Sequence, residues 1–234
     1  MVRPPDPVAA GFWRRYAAWS LDAACLLPLV MLLGAGPLRR AWAQADAGLQ
    51  ALMTLVAGRL DAGLAQGDPP LALALAAAGD PRLQAAAGAL TAALGTLLGL
   101  PLLLYALLAM AWALGFEASP WQATPGQRAL GLRVTDAAGA RAGAGRVLLR
   151  HLAAGLSWAS LNLGHALAAF PPHLALHDRL SGTRVLARDG DPRLPAWARA
   201  WLWLQATACV FALAWLYRLL QAQVDAALRA ALGS

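Results

Sequence analysis

Lysine is absent from this 234-residue chain, and charge of either sign is scarce. All 19 basic residues are arginine, set against 12 acidic ones, and charged residues make up 13% where a soluble domain carries about 25%. Only two cysteines occur, Cys25 and Cys209, each inside an apolar stretch. That excludes a disulfide framework and a cysteine-based metal centre, and both thiols read as small buried hydrophobes. The four histidines offer one metal-compatible spacing, His173 to His177, with no further ligand at a suitable distance in sequence, so no metal is expected. No Gly-Lys-Ser/Thr loop follows the Gly139–Gly145 turn, and Ser157, Ser181 and Thr183 lack a nucleophile elbow. Catalysis and cofactors are therefore not expected. The net charge of +7 sits in no soluble module, which argues against a nucleic-acid partner.

What the chain has in abundance is apolar length. Hydrophobic residues make up 59%, and four stretches are uncharged or nearly so: 16–38, interrupted only by Asp22, then 85–116, 151–176 and 200–217. A bilayer-crossing helix needs about 20 apolar residues, so the lipid bilayer is the first expected partner. The expected fold is all-α transmembrane, with three to four membrane-embedded helices, an amphipathic connector helix and a small cytoplasmic β element. The first run is too long for a signal-peptide core and carries Asp22, so cleavage is not expected.

Organisation follows from punctuation. Residues 1–15 form a Pro-rich cytoplasmic arm, expected to be unstructured as far as Ala10. Span 16–38 stops at Gly34, Gly36 and Pro37. In the extracytoplasmic connector 39–84, Leu49, Leu52, Met53, Val56, Leu60 and Leu64 recur at helical spacing, ended by Gly67-Asp68-Pro69-Pro70. Span 85–116 holds Gly95, Gly99 and Pro101; the glycines either admit a neighbouring helix closely or belong to an ordinary membrane helix. Segment 117–150 contains strand alternation at Leu130, Leu132 and Val134, closed by a turn at 136–139. Thr183–Leu186, in the 177–199 segment, is a second strand, ended at Asp189-Gly190. A last span at 200–220 and a tail at 221–234 complete the chain.

Topology turns on 151–176. If it enters the membrane and returns as a hairpin broken near Asn162-Leu163-Gly164, thirteen arginines lie on the N-terminal side against six. The positive-inside rule favours that arrangement over a full crossing, which leaves almost no bias. The N-terminus is cytoplasmic in both.

The most informative feature is Asp22, a carboxylate inside an apolar run and seven residues, two helical turns, after Arg15. An intramembrane carboxylate is costly unless paired, protonated or turned to the protein interior. Two readings stand: a structural Arg15–Asp22 ion pair, or a cation or proton site, for which only His151 and His165 extend the inventory. Asp178 reads as a turn carboxylate accepting the 180–182 amides, or as a partner of Arg15 or Arg128.

Three patches carry a resemblance: Gly11–Ala18 running into Leu21-Asp22, Ala123–Val134, and Leu176–Thr183. Together, over 11–186, they resemble the RDD family of bacterial membrane proteins. The resemblance matches Arg15, Asp22 and Asp178 to the family arginine and two aspartates, with Gly126, Gly131, Arg133, His177, Gly182 and Thr183 as supporting motif positions. Gln127 stands where the family usually has lysine, and no basic residue precedes Leu176-His177-Asp178. The resemblance implies an integral membrane protein and little that is specific about its role, with cation/proton exchange suggested for some members. The leading expectation from the residues is a structural or interaction component of the envelope in the inner membrane; the alternative is a small oligomeric transporter exchanging Na+ or K+ for protons at Asp22. Homo-oligomers or an operon-encoded membrane partner fit either.

Overall fold

The computed structural model describes residues 8–188, 190–191 and 193–232. The expected unstructured arm falls mostly on 1–7, and Asp189 of the strand-ending turn also lies outside the described residues. Elements run in the order β1 (Val8–Ala9), α1 (Phe12–Gln66), α2 (Pro70–Ala78), α3 (Pro81–Glu117), α4 (Pro125–Ala129), β2 (Leu132–Asp136), α5 (Ala144–Ala159), α6 (Leu163–Ala166), α7 (Leu176–Ser181), β3 (Thr183–Ala187) and α8 (Ala196–Leu232). The fold is that of an all-α membrane protein with a small sheet, and among the described residues three helices are long and apolar enough to cross a bilayer: Phe12–Gln66, Pro81–Glu117 and Ala196–Ala222.

Two expectations need correction. Helix α1 does not stop at Gly34, Gly36 and Pro37; it runs on for 55 residues, with Pro28 and Pro37 inside it, and absorbs the amphipathic connector as its own distal half. In an apolar medium a broken helix exposes several backbone groups, whereas a single proline forfeits one hydrogen bond, so continuation wins. The expected break at Gly67–Pro70 does end α1, with Gly67 at φ +73°, and a second break at Gly79-Asp80 separates α2 from α3. Cys25 and Cys209 are exposed, not buried. On a helix facing lipid the apolar side chains turn outward, and the burial habits of soluble cores do not apply.

The chain divides into two compact units, one comprising Met1–Asp22 with Ala113–Ser234, the other Ala23–Trp112. In the second unit α1 and α3 run antiparallel: a Cβ on Gly34 would lie 3.5 Å from Leu104, and one on Gly48 3.4 Å from Leu90. Gly95 and Gly99 face open space, so they serve no close helix contact among the described residues.

The first unit holds the sheet, ordered β1-β3-β2 and wholly antiparallel. Leu132 pairs with Ala187 and Val134 with Val185, so the alternation read at 130–134 and 183–186 is realised, while β1, unforeseen, pairs Val8 with Ala187 on the other edge of β3. Inward residues Leu130, Leu132, Val134, Val147 and Val185 are fully buried against Ala10, Ala17 and Ala113. β1, β2 and β3 share one sheet, which brings residues 8–9, 132–136 and 183–187 together. Stretch 151–176 is not one continuous helix. It leaves as the end of α5, breaks at Leu161 and Asn162, both at positive φ, and returns through α6 and a 3₁₀ turn at 167–169 to α7, which packs back on α5.

Candidate functional site

Two buried carboxylates organise the first unit. The first is Asp178. It occupies the third position of α7, where its Oδ2 accepts the amide of Ala175 at 2.8 Å and so ties down one of the free N–H groups of the helix start. The same carboxylate pairs with two guanidiniums, Oδ2 with Nη1 of Arg15 and Oδ1 with Nη1 of Arg150. Arg15 completes its fork on the carbonyls of Ala10 (2.9 Å) and His173 (2.8 Å), and Arg150 also donates to Thr183 Oγ1 at 3.1 Å. Ser181 joins this floor by donating to the His177 carbonyl at 2.6 Å and by a 2.8 Å hydroxyl contact with Thr183. Gly182 closes α7 in the left-handed region, φ +63°, which turns the chain from helix into β3.

The second carboxylate, Asp22, is 8% exposed. It accepts Thr124 Oγ1 at 2.5 Å and the Gly126 amide at 2.8 Å, and thereby holds the start of α4 against α1. Thr124 caps α4 reciprocally with Gln127, whose Oε1 accepts the Thr124 amide at 2.9 Å. Gly126 is required by space: a Cβ there would fall 2.2 Å from the Ala18 carbonyl and 2.8 Å from Asp22 Oδ2.

The two centres are joined. Gln127 Nε2 donates to Glu117 Oε1 at 2.8 Å, and Glu117 Oε2 lies 3.7 Å from Arg150 Nε and 3.6 Å from His151 Nε2. A path of side chains therefore runs from Asp22 through Thr124, Gln127, Glu117 and Arg150 to Asp178 and Arg15. Arg15 and Arg150 balance Glu117 and Asp178, which is the condition under which buried charges are tolerated.

The electrostatics fit that balance. Burial alone would raise the Asp178 carboxyl, but Arg150 and Arg15 outweigh it and hold Asp178 well below the usual carboxylate range. Burial would lower Arg150, yet Asp178 and Glu117 raise it. Both His165 and His177 are pushed down, by burial first and by Arg150 next, with Asp178 offsetting only in part. Their rings meet at 5.0 Å between centroids, with both Nδ1 atoms buried.

The expected Arg15–Asp22 ion pair is not formed. A two-turn spacing places the side chains on one face, but Asp178 and the His173 carbonyl claim the Arg15 guanidinium, while Thr124 and Gly126 claim Asp22. Nor does Asp178 serve the 180–182 amides or pair with Arg128, which stacks over Trp121 instead, 4.0 Å from the ring centroid. His173 precedes α7 and donates from Nδ1 to the Ala168 carbonyl (3.1 Å), so its spacing to His177 is not helical. Among the described residues no group of three or more His, Cys, Asp or Glu is placed to hold a metal. Of the supporting positions, Gly126, His177, Gly182 and Thr183 join the clamp, whereas Gly131 (φ +64°) and Arg133 lie on the sheet away from it.

Arg150 and Glu117 are the residues that sequence reasoning missed. Arg150 shares the buried stripe of α5 with Val147, Ala153 and Ser157, so helical spacing carried the signal. Glu117 is the only glutamate in the chain and ends its longest uncharged run.

The model of the RDD family matches residues 9–182. Neither a curated protein nor a solved structure matches this chain.

Proposed function

Since the chain belongs to the RDD family of membrane proteins, we propose that its signature residues form a structural clamp. The protein then acts as a non-catalytic structural or interaction component of the cell envelope, in a bacterial inner membrane with the N-terminus cytoplasmic. The observation that carries this reading is the satisfaction of the signature carboxylates. Asp178 is held by two guanidiniums and an amide, and Asp22 by a hydroxyl and an amide. A transported cation would have to compete with those donors at short range. The clamp fastens the entry of the first membrane helix to α4, α5 and α7, so the sheet-bearing platform keeps a fixed pose at the membrane surface. Such a platform suits docking of a second membrane protein or a second copy of the chain. The arginine distribution supports the orientation, with thirteen on the N-terminal side.

One observation favours the exchange of Na+ or K+ for protons: Glu117 lengthens the series of ionisable groups that begins at Asp22. Proteoliposomes loaded with a pH dye separate the two readings. The clamp reading expects no sodium- or potassium-driven pH change in wild type, together with a lower folded yield for Asp22→Asn. A cation-driven signal that Asp22→Asn abolishes while the variant stays folded establishes exchange and removes the clamp as the primary role.

A further inference from the structure

Outside the clamp, a second cluster of arginines forms no ion pair among the described residues. Arg133 on β2 stands opposite Leu186 of β3. The Arg188 amide donates to the Gly131 carbonyl at 2.9 Å, which extends the ladder by two residues and sets Arg188 opposite Gly131. Side chains two apart on a strand share a face, so Arg133 and Arg188 are diagonal neighbours on the same face of the sheet. Arg188 Nη2 also reaches the Trp121 carbonyl at 3.4 Å, and Arg128 lies over the Trp121 ring at 4.0 Å. Arg128 and Arg188 thus both contact Trp121, one at its ring and one at its carbonyl, and Arg133 lies diagonally beside Arg188. None of them forms an ion pair with any described residue, and Arg133 Nε is buried without a hydrogen-bond partner.

Like charges gathered in this way repel, and a buried guanidinium N–H without an acceptor carries the desolvation penalty of a charged donor. Both costs vanish if an anion with several oxygens sits among the three. Guanidinium forks match phosphate geometry, in which two N–H groups can meet two oxygens.

Location selects the phosphate's source. The Trp121 ring stacks on Phe116 at 5.4 Å, and Phe116 is the penultimate residue of the membrane-length helix α3. Trp121 is 46% exposed. A half-exposed tryptophan just beyond a spanning helix is the usual occupant of the headgroup layer, where phosphodiesters are dense and anionic lipids attract basic residues.

We propose that Arg128 and Arg188, which contact Trp121, and Arg133, diagonal to Arg188 on the sheet, form a binding site for the phosphate of an anionic phospholipid headgroup. The aromatic ring supports Arg128 from below, the sheet fixes Arg133 and Arg188, and the lipid oxygen supplies the acceptor missing at Arg133 Nε. This site is separate from the clamp, so its fate does not depend on whether the clamp is structural or transporting.

The test uses the full chain in nanodiscs of phosphatidylcholine doped with phosphatidylglycerol, with the lipid retained on purification quantified by mass spectrometry. The wild type should retain phosphatidylglycerol well above its bulk fraction. Each arginine contributes about fivefold to that preference, from the roughly 1 kcal/mol typical of a basic residue near an anionic surface. Arg128→Gln/Arg133→Gln/Arg188→Gln should remove the enrichment, while Arg179→Gln, at an exposed position on α7, should preserve it. If the triple variant does not fold, Arg128→Gln alone decides the matter, since that guanidinium lies over the Trp121 ring and forms no ion pair among the described residues. Enrichment unchanged in the folded variants overturns the proposal. So does displacement of the retained phosphatidylglycerol by inorganic phosphate, which would make free phosphate the ligand.

Discussion

Replacing Gly126 by alanine tests how closely α4 is fastened to the first membrane helix. The added Cβ would lie 2.2 Å from the Ala18 carbonyl oxygen and 2.8 Å from Asp22 Oδ2. The carbonyl is backbone within a long helix and cannot rotate away, so α4 must retreat by about 1 Å to restore an ordinary contact distance near 3.4 Å. That retreat stretches the 2.8 Å Gly126–Asp22 hydrogen bond and the 2.5 Å Thr124–Asp22 bond beyond useful length. A hydrogen bond to a charged group contributes about 1.5–3 kcal/mol, and forcing a methyl into a packed site costs about 1–3 kcal/mol. Because both bonds end on one carboxylate they are counted once, and the midpoints of the two ranges then add to about 4 kcal/mol, so a loss of about 3–5 kcal/mol is expected. Thermal unfolding in nanodiscs is the assay. For a chain of this size the expected fall in Tm is about 6–20 °C, at 2–4 °C per kcal/mol. A fall of less than about 2 °C would refute the argument, because α4 would then not be seated on Asp22 as described.

Acid should also weaken the fold. His177 and His165 titrate below their ordinary value, so the unfolded chain binds their protons first, and stability falls as pH drops through about 6.5 and below. Asp178, also depressed, keeps its contribution above the unfolded carboxylate value of about 3.9 and loses it only under stronger acid. Tm measured between neutral pH and mild acid should decline in the wild type and decline less in His177→Phe; equal slopes would contradict the assignment. Single cysteines in a chain with Cys25 and Cys209 changed to serine test the shared sheet. Ala140→Cys and Arg184→Cys, both at exposed positions, should react with an impermeant maleimide from the same side of the membrane, and labelling from opposite sides would contradict the β2–β3 pairing.

Much of this architecture was legible in the sequence because lipid and strands impose simple rules. Uncharged runs marked the spans, alternation at Leu130, Leu132 and Val134 marked β2, and Gly67–Pro70 marked the end of α1. Gly34 and Pro37 misled because stop signals calibrated in water lose force where a helix has no other partner for its backbone. The clamp was half legible. Arg15, Asp22 and Asp178 stood out as costly charges, but their partners come from remote segments: Thr124 lies 102 residues from Asp22, and Asp178 lies 163 residues from Arg15. Helical spacing sets which residues share a face, and only the tertiary fold decides which of them meet. Arg150 was hidden among surface arginines, although its register with Val147 and Ala153 marked it as inward-facing.

A double-mutant cycle between Arg15 and Asp178 tests the clamp most directly. Arg15→Gln, Asp178→Asn and the double variant would be compared with wild type by equilibrium unfolding in nanodiscs. Both side chains are largely buried and in direct contact, so removing one partner strands the other, at about 3–5 kcal/mol per single variant. The account predicts that the double variant is more stable than the sum of the singles implies, with a coupling above about 1 kcal/mol. Additivity within about 0.5 kcal/mol would contradict it.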